Sequence, residues 1–264
     1  MKAPELFLER RGAGRPLVLL HGIGVDHRLL LPLDAAFSQV GGWERWYVDL
    51  PGFGQSPLPD GVTSTQTMAD AVLAWVERSF PGEELALLGN SYGGLLARFI
   101  ANRIPSRVAG LALVCPVVGA DRSARTLPPR RIAVADPALA ATAPPEQWGP
   151  YAELAVVQSQ TGWDGFRQHV LPAVMADNAE VTTLLESAYD LTAAPEMGAA
   201  PFTGPTTIIC GRDDHVVGFQ DQLGLLPHYR QATYSVVADA GHNIILDQPG
   251  AVLALIVNWA ARLG

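Results

Sequence analysis

Lysine is nearly absent from this 264-residue chain: Lys2 is the single one, and arginine supplies the rest of 18 basic residues against 26 acidic ones. The resulting net charge of −8, with no basic run anywhere, offers no electrostatic surface for nucleic acid. Cysteine is scarce too. Cys115 and Cys210 each end an apolar, strand-like run, which reads as a pair of buried thiols in a reducing compartment and excludes a disulfide framework. No apolar stretch approaches the roughly 18–20 uninterrupted residues of a membrane span. The start, Met1 to Leu6, lacks the apolar core and cleavage pattern of a secretory signal, so the expectation is a soluble, cytoplasmic protein without a membrane partner. Nucleotide loops are missing as well: Gly12-Ala13-Gly14 and Gly52-Phe53-Gly54 have neither dinucleotide-binding nor Walker spacing. His27, His169, His215 and His228 form no pair with metal-ligand spacing to a carboxylate. Neither cofactor nor metal is expected.

What is present is an ordinary globular composition, 48% hydrophobic and 17% charged, long enough for a large core. Short apolar runs at 17–20, 46–50, 85–88, 111–115, 206–210 and 234–237 suit strands buried on both faces of a parallel sheet. Helical patterns lie between them, at about 27–40, 65–79, 91–104, 216–226 and 249–262. Such alternation predicts an α/β chain with a doubly wound, mostly parallel sheet. Glu5 to Arg10 reads as an antiparallel edge strand paired with the 17–20 strand through the Gly12-Ala13-Gly14 turn. From about 119 to 203 no strand pattern occurs, and prolines separate short helical pieces. That stretch is too long for a loop and too apolar for a linker. It predicts a helical cap (119–203) inserted into a core made of 1–118 and 204–264; an independent second domain is the alternative.

The chemistry centres on Gly89-Asn90-Ser91-Tyr92-Gly93, between the apolar run ending at Leu88 and the helical run from Gly94. A serine where a strand turns sharply into a helix is held in a strained backbone with its hydroxyl exposed. A serine hydroxyl is a weak nucleophile until a base takes its proton and a carboxylate orients that base. Partners belong on loops after other strand C-termini. Gly211-Arg212-Asp213-Asp214-His215 and Asp239-Ala240-Gly241-His242-Asn243 occupy such places, in the order Ser, Asp, His.

With His21-Gly22-Ile23-Gly24 after the first parallel strand and Asp49-Leu50-Pro51-Gly52-Phe53-Gly54 after the next, four motifs fall in series. The chain resembles an α/β-hydrolase-fold enzyme over nearly its whole length. The resemblance implies Ser91 as nucleophile and His242 as general base. Asp214 matches the Gly-x-x-Asp spacing ahead of Val216-Val217 better than Asp213, while a polar turn capping the next helix is the bland reading of the pair. It further implies an oxyanion hole from the backbone N–H groups of Tyr92 and Ile23, with Gly24 the alternative to Ile23. His21 then serves to fix its loop by hydrogen bonding.

The expected activity is a cofactor-independent serine hydrolase cleaving a small-to-medium, largely apolar ester, thioester or lactone through an acyl-enzyme. Its partner is a small-molecule substrate; oligomeric state is not readable. Serine at 91 excludes the epoxide-hydrolase and dehalogenase branches, which carry aspartate there. Asn90 resembles the elbow of carbon–carbon bond hydrolases, but Asn243 stands where those carry tryptophan. A carbon–carbon hydrolase or lyase and a non-catalytic ligand-binding member are the rival readings. Within the cap, Trp148, Tyr151, Trp163, Phe166, Met175 and Tyr189 promise an apolar pocket, and Arg122, Arg125, Arg130 and Arg131 read as a solvated face.

Overall fold

The computed structural model describes residues 3–119, 121–176 and 179–264. Among them, seven strands form one sheet: β1 (Leu8–Arg11), β2 (Arg15–Leu20), β3 (Trp43–Val48), β4 (Leu85–Asn90), β5 (Val108–Val114), β6 (Thr206–Gly211) and β7 (Ala232–Val237), in the order β1-β3-β2-β4-β5-β6-β7. All neighbours run parallel except β1 and β3. The central strands β4 and β6 are buried at every position, as continuous apolar runs require when helices cover both faces. From β2 the chain goes outward to β3 and returns to β4 on the other side of β2. That reversal opens a crevice beyond the C-terminal ends of β2 and β4, the place where open α/β sheets put their ligands.

Helices lie on both sides of the sheet. On one side α1 (Asp34–Val40) packs with α10 (Pro249–Ala261); on the other α2 (Thr65–Ser79) packs with α3 (Tyr92–Arg103), and α3 lies against β2, β4 and β5. A capping box starts α2: Ser64 Oγ accepts from the Thr67 N–H, and Thr67 Oγ1 accepts from the Ser64 N–H.

Three sequence expectations are corrected. The N-terminal strand does not pair with β2. It runs antiparallel to β3, with Leu8 opposite Val48, because β3 and β4 already occupy both edges of β2. The helix anticipated at 216–226 is only a short 3-10 turn, Asp221–Leu225. Its first N–H groups, those of Val216 and Val217, donate to Asp214 Oδ1, and Gly218 then takes a left-handed φ of 71° that ends any helical course. The 27–40 stretch is likewise divided, into a 3-10 segment His27–Leu33 containing Pro32, followed by α1.

Between β5 and β6 run α4 (Pro137–Thr142), α5 (Pro145–Leu154), α6 (Gln160–His169), α7 (Leu171–Val174) and α8 (Ala179–Ser187). Their prolines are mostly starters: Pro137, Pro145 and Pro172 sit in first turns, where no helical N–H bond is lost. Beyond α8 come the short α9 (Ile244–Asp247) after β7, and then α10. No helix among the described residues is long and apolar enough to cross a membrane.

Arg98, on α3, fastens the helical insertion to the sheet. It is almost wholly buried, grips Glu196 through two bonds of 2.7 Å and donates to the Val117 carbonyl at 2.7 Å. The segment just before the insertion, at Val117, and its later part, at Glu196, are thereby tied to the helix that follows Ser91. Tyr229 completes the network by donating to Glu196 Oε1 at 2.7 Å. Removing one partner of a buried pair leaves the other charge uncompensated. Arg98→Met is therefore expected to cost about 3–5 kcal/mol, read as a lower urea midpoint.

Candidate active site

Ser91 immediately follows β4, with φ 53° and ψ −117°, a conformation that costs about 1–3 kcal/mol for a residue with a side chain. The corner is held from three directions. The Ser91 N–H donates to the Val114 carbonyl at 2.9 Å, the Ser91 carbonyl accepts from Val117 at 3.0 Å, and Asn90 Nδ2 donates to Val114 O at 3.2 Å. Glycine at 93 is a steric necessity, since a Cβ there would lie 2.1 Å from the Leu20 carbonyl oxygen. A side chain would push α3 off β2 and move the serine with it.

His242, on the loop after β7, reaches across the strand ends. Its Nε2 lies 2.9 Å from Ser91 Oγ and its Nδ1 2.9 Å from Asp214 Oδ2. With Nδ1–H donating to the carboxylate, Nε2 carries the lone pair facing the serine hydroxyl. Asp214 is fully buried. Burial works to raise its carboxyl, but the adjoining His242 and the Val216 and Val217 N–H groups outweigh that effect and hold it below the ordinary carboxylate value. Asp213 lies elsewhere: its carboxylate accepts from Arg131 at 3.1 Å, and its N–H donates to Ala240 O.

Gly22, Ile23 and Gly24 line the same cavity as Ser91 and His242. Tyr92 is the first residue of α3, so its N–H has no acceptor within the helix. His21 anchors the 21–24 loop: Nε2 accepts from the Leu50 N–H at 2.9 Å and Nδ1 lies 2.7 Å from Gly22 O. Burial lowers its pKa, which keeps the ring neutral and fixes Nδ1 as the donor. Asp49 secures the next loop, accepting from His27 Nδ1 at 2.7 Å and from the Gln55 N–H at 2.9 Å.

Among the described residues, two groups bring ligand-type atoms within 4.8 Å of one another, Asp26/His27/Asp49 and Cys115/Asp214/His242. Hydrogen bonds engage both: Arg28 pairs with Asp26, His27 with Asp49, and His242 with Asp214. Burial, then the nearby Asp214 charge, push the Cys115 thiol well above its usual value, so a neutral S–H backs the Asp214–His242 pair.

The cavity is about 220 Å³, walled on the insertion side by Pro150, Leu154, Phe166, Val170 and Val174. Of the aromatic residues foreseen there, Phe166 alone lines it; Tyr151 and Trp163 pack against Phe166, and Trp148 packs behind them on both of those rings. Tyr189 packs on Tyr92, and Met175 is 61% exposed. The arginines stand apart from the cavity. Arg122 pairs with Glu186, Arg131 with Asp213 and Asp239, and Arg130 donates to Ala152 O.

Comparison with known proteins matches residues 17–255 to the family described as "Alpha/beta hydrolase family". The chain belongs to that family. It is 28% identical over 269 residues to a pimeloyl-(acyl-carrier protein) methyl ester esterase of Shewanella sp. MR-7, covering 98% of this chain and 96% of that one. A Shewanella woodyi esterase of the same name is 36% identical over 130 residues, 48% of this chain and 47% of the other. The crystal structure of an alpha/beta superfamily hydrolase from Oenococcus oeni PSU-1 superposes with a TM-score of 0.89 at 26% identity, over 97% and 95% of the two chains.

One component of this hydrolase site gave no signal in the sequence. Asp247, within the apolar turn of α9, is buried and bridges two loops. Its Oδ1 accepts from the Val156 and Val157 N–H groups, each at 3.1 Å, and its Oδ2 from Gly241 N–H at 2.8 Å. The insertion is thereby locked to the residue preceding His242. Burial pushes the carboxyl up to about 6 despite those three donors. A carboxyl raised in the folded state makes the unfolded state the weaker proton binder between about pH 4 and 6. Stability from this group is therefore present below about pH 4 and declines as pH rises to about 6. The difference in unfolding free energy, wild type minus Asp247→Asn, is expected to fall across that window and level off above pH 7, measured by urea denaturation.

Proposed function

We propose that this hydrolase is a cofactor-independent serine esterase that uses Ser91, His242 and Asp214 to cleave a small-to-medium, largely apolar ester through an acyl-enzyme. Thioesters and lactones present the same electrophile. The observation that carries the proposal is the continuous relay from Asp214 through His242 to Ser91, both links 2.9 Å, at the floor of an apolar cavity. Ser91 Oγ attacks the ester carbonyl while His242 Nε2 takes its proton. The tetrahedral oxyanion is received by the N–H groups of Tyr92 and Ile23. His242 returns the proton to the departing alkoxide, and water repeats the sequence to release the acid. Asp214 keeps the imidazole in the right tautomer and stabilises its cation. Loss of one oxyanion donor typically costs about 2.7–4 kcal/mol.

The volume of about 220 Å³ lies below the usual range for drug-sized ligands, roughly 300–1,000 Å³. That favours a short acyl chain or a longer one that projects from the mouth. The names of the Shewanella relatives support ester cleavage with a small alcohol leaving group. The cap reading of 119–203 accords with its supply of one cavity wall. Asn90, the residue shared with carbon–carbon bond hydrolases, has its amide engaged with Val114 O, so nothing in the cavity favours that rival.

Ser91→Ala should lower p-nitrophenyl butyrate turnover by about 10⁴–10⁶-fold with the far-UV spectrum unchanged, and abolish labelling by a fluorophosphonate. A variant keeping a tenth of the wild-type rate would refute the nucleophile. Asp214→Asn should reduce kcat by about 10⁴-fold and Asp213→Asn by less than tenfold; equal small losses would remove Asp214 from the mechanism.

A further inference from the structure

Asn243 immediately follows His242, lines the cavity and is only 8% exposed. Among the described residues, four buried side-chain polar atoms lack a hydrogen-bond partner: His169 Nδ1, His215 Nδ1, Gln222 Oε1 and Asn243 Nδ2. Of these residues, Asn243 is the one in the cavity wall. The other polar side chains there are accounted for. Asn90 donates to Val114 O, Ser91 and His242 bond to each other, and Glu153 stands exposed at the rim.

The local fold does not explain an asparagine at 243. It occupies the N-cap position of α9, where its side chain would ordinarily accept from the first turn, yet it makes no such bond. The backbone does that work instead, the Asn243 carbonyl accepting from Leu246 N–H at 2.7 Å and Asp247 N–H at 3.0 Å. A leucine of similar size would fill the space without an unpaired donor, which costs about 1–3 kcal/mol when buried. An amide kept at that disadvantage has a use once an acceptor arrives. Its terminal torsion is broad, so rotation of the amide can turn Nδ2 toward a molecule beside His242.

Resting on the esterase reading above, we infer that Asn243 is a substrate-binding donor, and that the preferred substrate is an ester bearing a second hydrogen-bond acceptor, a keto or ether oxygen, near the scissile group. The acceptor could belong to the acyl or the alcohol part, and matched esters separate the two. Methyl 4-oxopentanoate against methyl pentanoate tests the acyl side; 2-methoxyethyl butanoate against butyl butanoate tests the alcohol side.

In one pair, wild-type kcat/KM should favour the acceptor-bearing ester by about tenfold, the equivalent of about 1.4 kcal/mol, chiefly through KM. In Asn243→Leu, and independently in Asn243→Ala, that preference should collapse toward unity. Equal rates within both pairs for the wild type would overturn the inference, even if neither variant folded. So would retention of the preference in a folded variant, or a fall in Tm with the preference intact, which would mark a structural role. Turnover of the plain esters with fluorophosphonate labelling separates the two claims. Where both are present and the preference is absent, Asn243 alone is refuted; where both are absent, the esterase reading fails and this inference with it.

Discussion

The imidazole of His242 makes two hydrogen bonds of equal length, to groups that leave the sheet at different strands. Ser91 follows β4, Asp214 follows β6, and His242 follows β7. Since an N–H···O bond weakens quickly beyond about 3.2 Å, the registers of β4, β5, β6 and β7 must all be held to a few tenths of an ångström. Much else serves that tolerance. Gly93 lets α3 settle on β2 with no side chain between them, the Val114 carbonyl pins the corner, and Asp247 holds Gly241.

The buried groups of Asp214, Arg98 and Asp247 meet burial in different ways. Asp214 is compensated by a neighbouring imidazole and two backbone N–H groups, and so remains ionised. Arg98 has a carboxylate partner in a two-pronged pair, the geometry for which guanidinium is suited. Asp247 has only neutral N–H donors, and its burial prevails. Two of these, Arg98 and Asp247, tie the helical insertion to the sheet. These polar ties add to apolar packing, since Val181 and Leu185 join the main core and Tyr189 lies on Tyr92.

Most of the sheet was legible because its signal is local. A strand buried on both faces must be a continuous apolar run, and 17–20, 85–88, 111–115 and 206–210 are such runs. The errors came where a distant partner overrides a local pattern. Glu5 to Arg10 looks like half of a hairpin with the 17–20 strand, yet β3 enters between them. The 216–226 pattern is helical in spacing, but Gly218 turns left-handed just after it starts. Prolines in the insertion read as breaks, whereas several begin helices.

The order Ser91, Asp214, His242 and the glycines of the elbow were determined by the sequence, because a strand-to-helix corner and loops after strand ends leave short, fixed spacings. Which of two adjacent aspartates meets the imidazole was decided only by the tertiary structure. Successive side chains on a turn point in different directions: Asp214 faces inward to His242 and Asp213 outward to Arg131. The same holds for Asp247, Arg98 and the unpaired amide of Asn243. Their partners in the insertion lie about a hundred residues away or, for Asn243, are absent, and packing alone brings such groups together or leaves one without a bond.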